Sequence, residues 1–217
     1  MVQKSEDDET TPSPRPRGRP RSFDTGATLA QATLAFWQRG YAATSLDDLS
    51  AATGLNRPSL YGAFGDKHAL YLQALQLYTE QSNAAIAEAL QGRTARDGLL
   101  RVYALALQLY CPTDAAARGC LLIGTAATEA PRDEAIRRAL GDALRGFTAA
   151  FEARLRQAVD EGELPASTDA AMRAELASAV LHSMALRARA GDAPEALAAL
   201  AAAGVELALS PPGTGAR

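Results

Sequence analysis

Three outward-facing polar residues, Arg57, Ser59 and Tyr61, give this chain its most specific chemistry. A guanidinium fork can engage guanine O6 and N7 or a phosphate oxygen, and hydroxyls can donate to phosphates. All three lie within TSLDDLSAATGLNRPSLYGAFGDK, Thr44 to Lys67. There Leu60 and Phe64, four residues apart, turn one helical face inward and leave Arg57, Ser59 and Tyr61 outward. Other chemistries lack their residues. No P-loop, GxSxG elbow, HExxH or Rossmann fingerprint occurs,. Glu129, Asp133 and Glu134 stand together, but as charges suited to a helix start. His68 and His182 are too scattered to complete a zinc site. The chain therefore reads as a non-enzyme without a metal or cofactor.

The elements that must position these residues are two short helices and a glycine turn. Thr44 and Ser45 suit a helix start, and Asp47 and Asp48 put negative charge in its first turn. Leu46 and Leu49 supply an apolar stripe, Gly54 the left-handed stop, and Leu55 an apolar plug in the turn. Asn56 caps the next helix and Pro58 is tolerated in its first turn. Gly65 ends that helix and Asp66 caps another from Lys67. The second helix spans about 12 Å, which suits a recognition helix in a major groove of similar width. On spacing alone the unit is either a helix-turn-helix or an ordinary helical hairpin.

The segment from about Phe23 to Leu72 resembles the N-terminal domain of the tetracycline-repressor (TetR/AcrR) family. Phe36, Gly40-Tyr41, Thr44-Ser45-Leu46, Gly54-Leu55, Ser59-Leu60-Tyr61, Phe64, Lys67 and Leu70 carry the resemblance, which closes on LYGAFGDK. Pro58, Gly62 and Ala63 depart from the usual pattern. The resemblance implies DNA contacts from Thr44, Ser45, Arg57, Ser59, Tyr61 and Lys67. Thr44, Tyr61 and Lys67 would meet phosphates, and Arg57 either a base edge or a phosphate; the alternative for Tyr61 is packing.

Upstream, residues 1–22 are rich in Pro, Ser and charge, a composition that predicts a disordered arm. Arg15, Arg17, Arg19 and Arg21 alternate with Pro and Gly as RPRGRPR, resembling an AT-hook core. Such arginines suit the narrow minor groove of A·T-rich DNA, although a basic tail adding non-specific affinity reads equally from the charge. The whole chain carries −3. Its distribution is uneven: Arg15 to Lys67 holds seven basic and four acidic residues, and the chain from Tyr71 onward holds 14 basic and 17 acidic. A basic reader joined to a mildly acidic body fits a regulator with a separate ligand domain.

The remaining sequence predicts an all-α protein of about nine helices. They are placed near 25–39, 46–53, 57–63, 67–91, 95–110, 115–128, 132–161, 168–190 and 193–208. The division is a helix-turn-helix domain over 23–70, a helical effector-binding and dimerisation domain over 71–208, and a disordered tail over 209–217. No apolar run reaches the roughly 18 residues a membrane span requires, and the acidic, polar N-terminus does not read as a signal peptide. Two cysteines in 217 residues form no disulfide framework, so a reducing cytoplasm is expected.

By the family layout the last two helices pair with those of a second subunit, placing Leu176, Val180, Met184, Leu197 and Leu200 at a dimer interface. The same layout puts an effector pocket within helices four to seven, with Tyr78, Tyr103, Tyr110, Ile123, Phe147 and Phe151 as lining or as plain core. Cys111 and Cys120 are placed at the same pocket and read as redox, electrophile or soft-metal sensors or as small buried apolar residues. The leading function is a dimeric repressor that binds a double-stranded DNA operator and is released by a small-molecule or thiol-reactive effector. The alternative is an architectural, weakly sequence-specific DNA binder that uses the arginine arm.

Overall fold

Asp24, Ser45, Asn56 and Asp66 each accept a backbone N–H through the side chain and so start the first four helices. Each such cap is worth about 1 kcal/mol. The helices are α1 Thr25–Arg39, α2 Leu46–Thr53, α3 Arg57–Phe64 and α4 Lys67–Ala89. The computed structural model describes residues 23–210. Arg17, Arg19 and Arg21 of the expected arm, and the expected tail beyond Ser210, lie outside the described residues. Thr94, Asp133 and Asp169 repeat the capping device for α5 Ala95–Tyr110, α7 Glu134–Asp160 and α8 Ala170–Ala190. Pro194 opens α9, Pro194–Leu209. Among the described residues the chain is all-helical, with nine helices once the short α6, a turn over Leu122–Ala126 that continues as Ala127–Glu129, is included.

α6 departs from expectation. A helix over 115–128 is predicted, but residues 115–120 are not helical; α6 is a π-helical turn, Leu122–Ala126, continuing as Ala127–Glu129. The reason is local. Gly119 sits at φ +61°, and a Cβ there would fall inside the van der Waals shell of the Ala185 carbonyl oxygen. The Arg118 and Gly119 amides both turn back to the Tyr110 carbonyl. Alanine-rich composition favours helix at these positions, and tertiary contacts override it.

α1 packs on α2 and along α4, while α3 sits against α2 and α4. Phe36, Leu49, Leu60, Phe64 and Tyr71 fill this small core, with the Phe36 and Tyr71 rings edge to face at 5.0 Å. Each such side chain contributes roughly 1.5–3 kcal/mol through burial. The larger body wraps α8 with α5, α7 and α9. Tyr103 Oη donates to the Ala177 carbonyl at 3.0 Å and fixes α5 to α8. Gly204 lets α9 approach α8 closely, because a Cβ would lie 2.7 Å from Val180 Cγ2. Tyr71 and Thr125 hydroxyls, 2.6 Å apart, tie α4 to α6. No described helix is long and apolar enough to cross a membrane.

Candidate nucleic-acid interface and cavity

α2 and α3 meet at Gly54, whose left-handed backbone (φ +68°, ψ +6°) turns the chain so that Asn56 can cap α3. Leu60 and Phe64 are buried, while Arg57 and Tyr61 project outward and Ser59 is half-exposed. Tyr61 is 47% exposed, far more than a packing residue requires. Arg57 is exposed, and its Nε and Nη2 donate to Asp47 Oδ1 and Oδ2 at 3.0 and 2.7 Å. Hydrogen bonding to Asp47, aided by its charge, holds the guanidinium above its ordinary pKa. Sequence reasoning placed Asp47 only as a helix-start charge, because its pairing across the turn is a tertiary fact.

Other contacts are redistributed. Ser45 caps α2 through a reciprocal pair with Asp48, which also accepts from Arg39. Thr44 is corrected: its side chain is wholly buried and its hydroxyl donates to the Gly40 carbonyl at 2.6 Å. It orients the entry to α2 and has no free hydroxyl for a phosphate. Lys67 is half-buried with Nζ 4.5 Å from the Tyr41 ring centroid. Burial draws its pKa down.

A second feature lies in the body. A cavity of about 210 Å³ opens between α4, α5, α7 and α8, lined by Tyr78, Ile86, Val102, Leu105, Tyr110, Phe147 and Leu181, with Ser82 the small polar exception. Tyr78, Tyr110 and Phe147 thus stand where the pocket is expected. Tyr103 and Phe151 do not line it; both are fully buried against each other in the core, 6.3 Å apart. Cys111, Cys120 and Ile123 are also absent from the lining. Cys120 sits behind Tyr78, whose hydroxyl donates to Sγ at 3.2 Å. Burial pushes the Cys120 and Cys111 thiols up, so both remain protonated and weakly nucleophilic. Among the described residues no cluster of His, Cys, Asp and Glu could hold a metal.

Tyr78 has a second neighbour that the sequence did not signal. Its ring meets Trp37 of α1 edge to face at 4.9 Å. Trp37 Nε1 donates to the Gly119 carbonyl, and the Arg118 guanidinium lies 4.3 Å over the indole. The cavity wall, α1 and the 110–121 connection therefore share one packed joint.

The outer faces of α8 and α9 expose Met172, Leu186 and Leu207 by more than half, with Leu176 at 38%. Leu200 is half-buried and Val180 packs toward Gly204. Met184 and Leu197, expected at a subunit interface, are corrected to the core: both are completely buried within the chain. Helices that are apolar nearly all round hide their inward face from periodicity.

Comparison with known proteins covers both parts of the chain. The family described as bacterial regulatory proteins, tetR family, matches residues 29–74. The tetracyclin repressor-like C-terminal domain matches 98–203. The HTH-type transcriptional repressor ComR of Escherichia coli (strain K12) is 32% identical over 187 residues, 85% of this chain and 89% of ComR. An uncharacterized HTH-type transcriptional regulator, YezE of Bacillus subtilis (strain 168), is 32% identical over 148 residues, 68% of this chain and 76% of YezE. A cysteine mutant of the TetR family transcriptional regulator CifR, complexed with 26-base-pair double-strand operator DNA, superposes with a TM-score of 0.80 at 32% identity, covering 87% of this chain and 98% of that one.

Proposed function

The chain belongs to the tetR family of bacterial regulatory proteins and is a DNA-binding regulator of transcription, and from that premise we propose that it is a dimeric repressor released from its operator when a small, uncharged, apolar molecule enters the cavity. ComR, with 32% identity, is itself a repressor, which supports the sign of regulation. Arg57, Ser59, Tyr61 and Lys67 form the DNA-facing set, with Ser45 capping α2. The exposed apolar faces of α8 and α9 support pairing with a second copy. Two linked readers gain effective concentration that one two-turn helix lacks, and their half-sites would lie about one helical turn or a multiple of it apart.

The observation that carries the effector reading is the double role of Tyr78, which forms cavity wall on α4 and packs on Trp37 of α1. A ligand acts only through unequal affinity for two conformations, and a ligand beside Tyr78 bears directly on the α1–α4 contact. The lining offers no charge to neutralise an ion. A cavity of about 150 Å³ holds benzene, so this one suits a substituted six-membered ring. Cys120 is buried and stands outside the cavity lining, which favours non-covalent capture over a thiol-reactive effector.

Footprinting on the DNA upstream of the coding sequence, repeated with substituted benzenes present, tests the proposal. Protection should be lost with a matching ligand in wild type and in Cys120→Ser, and retained in Ala106→Phe, which places a ring in the cavity from a residue of its lining. Ligand-driven loss of protection that persists in the cavity-filling variant would refute the assigned cavity.

A further inference from the structure

A carboxylate on the DNA-facing side of a reader is anomalous, because it repels the phosphates that supply most of the affinity. Asp47 and Asp48 are neighbours, yet their tasks differ. Asp48 completes the α2 cap, accepting from the Ser45 amide and hydroxyl, and also takes Arg39. Asp47 has no capping role, and its side chain is 75% exposed. Both of its oxygens face one group: the Nε–Nη2 edge of Arg57, the first residue of α3.

That edge matters. A guanidinium has five N–H donors in a fixed plane. Asp47 takes the Nε hydrogen and one Nη2 hydrogen, so the other Nη2 hydrogen and one Nη1 hydrogen point together from the end of the fork, while the remaining Nη1 hydrogen lies on the Cδ side. Two parallel donors at that end match guanine O6 and N7. The carboxylate therefore does not compete with a base for the fork. It fixes the plane and direction of a long side chain that would otherwise sample many rotamers. Its negative charge also offsets the arginine's attraction for any nearby phosphate, which favours a base edge over the backbone.

We propose that Asp47 is a specificity-determining positioning residue, holding Arg57 end-on for one guanine in each half-site. This rests on the DNA-regulator reading and deepens it: Arg57 becomes a base reader rather than a phosphate contact, and Asp47 the reason for the choice.

The test selects bound sequences from a randomised duplex library with full-length wild type, Arg57→Ala, Asp47→Ala and Asp47→Asn. Affinities are then measured on the selected site and on its single-base variants over a range of salt. Wild type should fix one guanine per half-site. Arg57→Ala should lose it, and Asp47→Ala should lose about tenfold of the discrimination at that same position while other positions hold. Asp47→Asn, which keeps one acceptor oxygen, should fall between wild type and Asp47→Ala. Affinity for random DNA should hold or rise in both Asp47 variants, as a repulsive charge has gone. A purely structural role would change melting temperature or affinity at every position alike, and that result overturns the proposal. So does unchanged guanine preference in Asp47→Ala, which would reduce the pair to a passive surface contact. Failure of wild type to select any sequence would instead refute sequence-specific regulation itself, and the positioning role with it.

Discussion

Trp37 Nε1 donates to the Gly119 carbonyl oxygen at 3.0 Å, across 82 residues of sequence. The bond is buried and joins α1 of the DNA-binding unit to the connection that follows Tyr110, a residue of the cavity lining. Trp37→Phe keeps an aromatic ring against Tyr78 but leaves that carbonyl without its donor. An orphaned buried acceptor costs about 1–3 kcal/mol. Chemical denaturation should show a loss in that range, and effector-driven release from DNA should weaken beyond what lowered stability explains. An unchanged midpoint would mean that water replaces the indole at no cost.

Two glycines with similar backbone angles should respond unequally to alanine. Gly54 (φ +68°) has open space where a Cβ would go, whereas Gly119 (φ +61°) faces the Ala185 backbone. Gly54→Ala should cost about 1–2 kcal/mol, the left-handed penalty alone. Gly119→Ala should cost that and a further 1–3 kcal/mol for overpacking. Equal costs in thermal melts would contradict the close approach at Gly119.

Tyr61→Phe removes only an exposed hydroxyl. If that hydroxyl meets a phosphate, binding should weaken roughly two- to tenfold, and by the same factor on every base-substituted site. A loss confined to one base position would reassign Tyr61 from backbone to base contact.

Acid stability should depend on Glu163. Burial alone would raise its pKa, but the Arg154 ion pair and the Ala95 amide prevail and hold it below the ordinary glutamate value. A carboxylate depressed in the fold stabilises when ionised; that contribution is complete above the unfolded value and is lost as pH falls through the folded one. Glu163→Gln should therefore be less stable than wild type near neutrality and lose less stability between about pH 5 and pH 3. Parallel pH profiles for the two proteins would show that the pair contributes nothing.

What was legible in the sequence was mostly punctuation. Ser45, Gly54, Asn56 and Asp66 mark helix ends by local chemistry, and the helices 25–39, 46–53 and 95–110 match the structure to the residue. What was not legible depended on partners distant in sequence. Residues 115–120 have helical composition but yield to Tyr110, Trp37 and Ala185. Thr44 has the chemistry of a phosphate contact but turns inward to Gly40. Met184 and Leu197 share their helices with exposed apolar residues, and only packing against α5 and α7 decides which face is core. The pairing of Arg57 with Asp47 needed the turn angle at Gly54, which no spacing supplies.

The Asp47–Arg57 pair also constrains how such a reader can diverge. Replacing Arg57 alone, to suit another base, leaves Asp47 as an uncompensated negative charge beside the DNA. Replacing Asp47 alone leaves the arginine free to settle on phosphates. On the proposed role of Arg57 as base reader, a new operator preference at this position would be reached most readily by two substitutions, with the carboxylate changed first. The residues are ten apart in the chain but act as one hydrogen-bonded unit.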